Sequence, residues 1–179
     1  PIYILTVTFT QEIVGQYSLA YRLVWAPVGL IATSLVPVLY NKFAKDGLSS
    51  RNSYGLRYFL LGGLAVLISS ALLRTTSSYF ILILGSEWKL VSELLPPITL
   101  WAGVFCLSTP FRVKVRVLEL QKFQLVIDFI TLVALSATLL GHVAHPSHLI
   151  WTICVIGCMQ NVALCTVVQY QEFIRLSVK

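Results

Sequence analysis

An all-α, polytopic bundle of membrane helices is the fold class this sequence predicts, and three observations predict it. Of its 179 residues, 57% are hydrophobic and 11% are charged, whereas soluble domains carry roughly 25% charged residues. The apolar residues form runs of spanning length with no period-two alternation. Lys and Arg collect in short connections between those runs, which is the footprint of membrane topology and anionic lipid. The net charge of +6 therefore does not indicate a nucleic-acid partner.

Taken in order, the runs predict five complete spans and the remnant of a sixth, in one helical bundle over residues 1–179. Residues 1–10 (PIYILTVTFT) are apolar but too short to cross, as in a truncated helix. With no initiator methionine and no signal-peptide pattern at Pro1, the chain reads as the C-terminal portion of a longer protein. At ~1.5 Å per residue, a helix over residues 14–40 would be roughly 40 Å long, against a ~30 Å hydrocarbon core. Its one intruding charge is Arg22. The connection 41–57 carries Gly47, Gly55 and three serines, and a third helix is expected over residues 58–73. The short apolar YFILILG at 79–85 fits an interfacial or re-entrant piece. A fourth helix covers 90–109, with Pro96 and Pro97 expected to kink or break it. The fifth and sixth helices cover 123–141 and 149–168.

Orientation follows from counting cations. Lys42, Lys45, Arg51 and Arg57 lie in one connection, Arg112, Lys114, Arg116 and Lys122 in another, and Arg175 and Lys179 in the tail. The connections between these carry only Arg74 and Lys89. Ten against two, alternating with the crossings, puts the cation-rich loops and the C-terminus in the cytoplasm.

The succession of VGQYSLAYRL (14–23), Pro27 and Pro37, LGSEW (84–88) and LELQKFQLVID (118–128) resembles the C-terminal half of bacterial lipid-linked oligosaccharide flippases. These form the polysaccharide-transporter branch of the superfamily that also holds multidrug extruders. The resemblance implies a multi-pass protein of the bacterial inner membrane. It would move undecaprenyl-diphosphate-linked sugar by alternating access for surface polysaccharide biosynthesis. Its partners would be that substrate, membrane lipids and polysaccharide assembly proteins, with no cofactor. Alternatives are a drug/cation antiporter of the same superfamily and a membrane-embedded polysaccharide polymerase or ligase.

Each candidate residue has two readings. Arg22 either lines a lumen, where its guanidinium would hold a diphosphate, or snorkels or pairs locally; a charge at mid-span costs at least ~2.5 kcal/mol. Gln160 and Asn161, mid-way along the last helix, either bond to neighbouring helices or bind sugar. Asp128 is either an ion-coupling carboxylate or a partner for Lys122 and the basic loop. Glu93 is expected to pair with Lys89, and Tyr17 to sit in an interfacial belt. Gly62, Gly63, Ser69 and Ser70 offer a small-residue packing face. Cys106, Cys154, Cys158 and Cys165 read as small hydrophobes, and His142, His145 and His148 lack the spacing of a metal site. No catalytic constellation is present in the sequence, so no enzyme activity is expected.

Overall fold

A computed structural model describes residues 6, 9–46, 54–75, 79, 82, 85–140 and 145–177. It contains five helices: α1 (Gln11–Asp46), α2 (Tyr54–Thr75), α3 (Lys89–Val117), α4 (Gln121–Leu140) and α5 (Pro146–Ser177). A 3-10 turn at Ser86–Trp88 precedes α3, and there is no strand among the described residues. Most of the expected truncated helix at 1–10, the connection 47–53 and most of the segment 79–85 lie outside the described residues.

Three of these helices are long and apolar enough to cross a membrane: Gln11–Lys45, Lys89–Val117 and Pro146–Arg175. The expectation of five complete spans is corrected accordingly. In α2 the described apolar stretch is Leu61–Thr75, which is short for a crossing. The 20-residue α4 opens on Gln121-Lys122 and carries Gln124 and Asp128, which shortens its apolar part.

α3 is the hub, packing against α1, α2 and α5, while α4 rests mainly on α5. The three long helices run in the same direction. Their N-terminal ends share a core of Tyr17, Ala20, Val91, Leu94, Ile98, Ile150 and Cys154. At the other end Lys114 of α3 lies 5.4 Å from the Phe43 ring of α1 and pairs with Glu172 of α5 at 2.6 Å. α2 runs the opposite way, with Gly62 beside Leu107 and Ser70 beside Pro96. α4 is likewise reversed: Ile127 packs on the core of Phe111, Val115, Leu164 and Val168, and Leu135 packs on the first core.

Several local expectations change for physical reasons. α3 continues unbroken through Pro96, Pro97 and Pro110. The ring of a proline removes one backbone bond but can be accommodated where neighbouring helices satisfy the backbone. Separately, the Ser70 hydroxyl donates to the Pro96 carbonyl at 2.9 Å, which ties α2 to α3. The basic connection expected at 111–122 is instead helix up to Val117, followed by a three-residue turn. That turn is a Schellman motif: Leu120 N–H bonds Val115 O at 2.9 Å and Glu119 N–H bonds Arg116 O at 3.4 Å. Glu119 takes the left-handed conformation (φ 56) that glycine usually supplies, and Leu118 and Leu120 on either side are buried. Tyr17 is not an interfacial belt residue. It is 2% exposed, because the small Ala20 lets α1 approach α3 closely.

Glycine does the same work elsewhere. A Cβ at Gly103 would lie 2.5 Å from Val66, and one at Gly157 would strike the Trp101 ring. Gly62 packs on Leu107 as a small-residue contact, whereas Gly63 faces open space.

Candidate functional site

The most polar feature inside the bundle is a seam joining α3, α5 and α4. On α3 the spacing of four places Ser108 and Arg112 on one face, toward α5. Helical side chains lean toward the helix N-terminus, so Arg112, near the C-terminal end of α3, reaches back into the bundle. Its Nη2 donates to Asn161 Oδ1 at 2.9 Å, and its Nε lies 3.4 Å from Ser108 Oγ. The guanidinium carbon sits 4.9 Å from the centre of the Phe105 ring, a cation–π arrangement.

Asn161 is only 1% exposed, and its amide makes three hydrogen bonds. Its Oδ1 also accepts from Ser108 Oγ at 2.7 Å, and its Nδ2 donates to the Gly157 carbonyl at 2.7 Å. Ser108 has one hydroxyl hydrogen and a second acceptor, the Phe105 carbonyl at 2.7 Å, so that hydrogen is shared. One residue along α5, Gln160 Nε2 donates to Asp128 Oδ1 of α4 at 2.6 Å. Asp128 is exposed on α4, and Gln160 is half-buried.

Sequence reasoning singled out four site residues, and three of them meet in this region. Gln160 and Asp128 bond each other, while Asn161 bonds α3. Both interhelical bonds are of the kind expected for mid-helix amides. Asp128 is therefore engaged by Gln160, not by Lys122, whose side chain is exposed. Arg22 is not brought into the seam. It is exposed on α1, away from the Tyr17, Ala20 and Val24 face that meets α3. The twenty residues from Arg22 to Lys42 make roughly 30 Å of helix, a whole hydrocarbon thickness. Along α1, Arg22 and Lys42 thus stand about one hydrocarbon thickness apart.

Arg112 and Ser108 are the residues that sequence reasoning missed. The expected helix ends at residue 109, which leaves Arg112 in the connection that follows. The available signal was the register of Phe105, Ser108, Arg112 and Arg116, which share one stripe if the helix continues. Arg112 has no carboxylate within ion-pair distance among the described residues; the ion pair at this end is Lys114–Glu172.

Two cavities flank the hub helix. One of about 340 Å³ lies between α1 and α3, lined by Trp25, Thr33, Phe105, Thr109, Arg112 and Arg116 among others. The other, about 320 Å³, lies at the N-terminal end of α3, between Arg74, Ser92, Glu93, Pro96, Ser147 and Trp151. Glu93 lines this opening and does not form the expected pair with Lys89. His145 and His148 stand edge to face at 5.9 Å, and His142 lies outside the described residues. The four cysteines are free thiols, and no group of three or more His, Cys, Asp or Glu among the described residues could hold a metal ion.

No protein-family model matches the chain, and no curated protein or solved structure is significantly similar to it.

Proposed function

We propose that this chain is part of a multi-pass transporter of the bacterial inner membrane that moves lipid-linked oligosaccharide outward. The single observation that carries this reading is the polar seam Asp128–Gln160 beside Asn161–Ser108–Arg112 in a bundle of membrane-type helices. Polar and ionisable groups inside a bilayer are costly and are retained where a solute path or a relay uses them. The Asp128–Gln160 pair is partly open. It offers one acceptor set and one donor set, the complement a sugar hydroxyl needs.

The crossings of this reading are α1, α3 and α5; because they run the same way, the chain returns between them along the antiparallel α2 and α4. The cation-rich ends of α1 and α3 then face the cytoplasm together with the C-terminus. In the working cycle the bundle rocks against a second one, exposing the seam to each side in turn. Arg22, at the outer edge of α1, would meet the diphosphate as the head group leaves.

The test is export of surface polymer by the full-length protein. Gln160→Leu removes the amide and leaves the Asp128 carboxylate without its partner. A hydrogen bond to a charged group is worth roughly 1.5–3 kcal/mol, so export should fall about tenfold or more at equal expression. Unchanged export would remove the seam from the transport path. The carboxylate at Asp128 favours a second reading, a proton- or cation-coupled drug antiporter. In that case Asp128→Asn abolishes gradient-driven drug efflux in cells whose polymer export is normal.

A further inference from the structure

We propose that the cavity between α1 and α3 is a binding site for the phosphate head group of an anionic membrane phospholipid. The site does not depend on the transport reading; its leaflet, the cytoplasmic one, rests on the orientation proposed above. Three observations point to this ligand.

The first is charge. Arg112 and Arg116 are one helical turn apart on α3 and both line the cavity. Neither guanidinium has a carboxylate within ion-pair distance among the described residues. Arg112 spends two of its five N–H groups on Asn161 and Ser108, and Arg116 is exposed at the cavity mouth. Donors therefore remain for an anion, and a planar guanidinium suits a phosphate with two parallel bonds.

The second is the aromatic wall opposite the arginines, which Trp25 supplies. The Trp25 ring itself is fixed by Tyr21 at 5.5 Å, Trp101 at 5.1 Å and Phe105 at 5.0 Å, so this wall is rigid.

The third is the remaining lining, which is apolar or only mildly polar: Ala32, Val36 and Val113 with Gly29, Thr33 and Thr109. The volume of about 340 Å³ suits a head group with the start of its acyl chains, within the usual range for small-ligand sites. Basic pockets between membrane helices on the cytoplasmic side bind anionic lipid heads by this chemistry.

The experiment measures phospholipid retained by the purified full-length protein after detergent exchange, quantified by mass spectrometry. Arg116→Gln is the informative variant, because Arg116 lies outside the seam and its loss should not unfold the bundle. Lys122→Gln is the control for general surface charge. One arginine near the membrane surface corresponds to about a fivefold change in anionic-lipid binding. Wild type and Lys122→Gln should retain phosphatidylglycerol equally, and Arg116→Gln about fivefold less. Equal retention in all three, or an equal loss in both variants, would overturn the site. A second arm adds inorganic phosphate to protein in neutral-lipid nanodiscs: stabilisation equal to that given by phosphatidylglycerol would show a free-phosphate site and overturn the lipid assignment. Polymer export by Arg116→Gln is measured separately. Lost lipid with intact export upholds a resident lipid, whereas lost export with lipid retention unchanged rejects the lipid site and leaves the transport reading standing.

Discussion

Gly157→Val is expected to loosen the contact between α3 and α5 more than any other single substitution on that interface. A Cβ at this position meets Nε1, Cε2 and Cδ1 of Trp101. The indole has little room to retreat, because it stands edge to face on Trp25, which stacks on Tyr21, which in turn contacts Tyr17. Relief requires the helices to part, and overpacking of this kind costs about 1–3 kcal/mol, occasionally more. The measurement is thermal unfolding of the purified protein in a fixed detergent. Gly157→Ala should show a smaller loss of the same sign, and adding Trp101→Leu to it should recover part of that loss, as a coupled pair requires. Equal melting of wild type and Gly157→Val would mean that α3 and α5 are further apart than described here.

Asn161→Leu is expected to be nearly as damaging, through electrostatics instead of volume. The leucine is apolar and of similar size, but it removes the acceptor of Arg112 Nη2; the Ser108 hydroxyl falls back on the Phe105 carbonyl. A hydrogen bond between a charged and a neutral group is worth roughly 1.5–3 kcal/mol, so a loss of about 2 kcal/mol is expected in the same unfolding assay. Asn161→Asp keeps both acceptor bonds and supplies Arg112 with a counter-charge. It should therefore lose distinctly less than the leucine variant. If the two variants melt together, the bonds from Arg112 and Ser108 contribute little.

The membrane-helix class was legible because it is written in composition: long apolar runs bounded by cations have one economical fold in lipid. Helix ends were not legible, because charged residues such as Lys42 and Lys45 of α1, or Arg112 to Arg116 of α3, remain helical beyond the apolar runs. Proline misled for a related reason. Pro96 and Pro97 are strong breakers in water, but an apolar surrounding penalises any non-helical alternative even more. Interhelical roles for Gln160 and Asn161 could be read from their depth in the last helix. Their partners could not, since Asp128 and Arg112 lie 32 and 49 residues away in sequence. Tyr17 was misread because an aromatic near a helix end looks interfacial until the residue facing it is known. Arg22, conspicuous in sequence as a lone charge, proves to stand a full hydrocarbon thickness from Lys42.

Under the transport proposal the α3–α4 turn lies on the cytoplasmic side and the start of α5 on the outer side. Labelling of single cysteines by a membrane-impermeant maleimide, in intact and opened cells, checks this, with Cys106, Cys154, Cys158 and Cys165 replaced. Cysteine at Gln121, exposed at the start of α4, should be modified only after the cells are opened, and cysteine at Ser147, at the start of α5, in intact cells. Modification of both positions from the same side of the membrane would contradict the account.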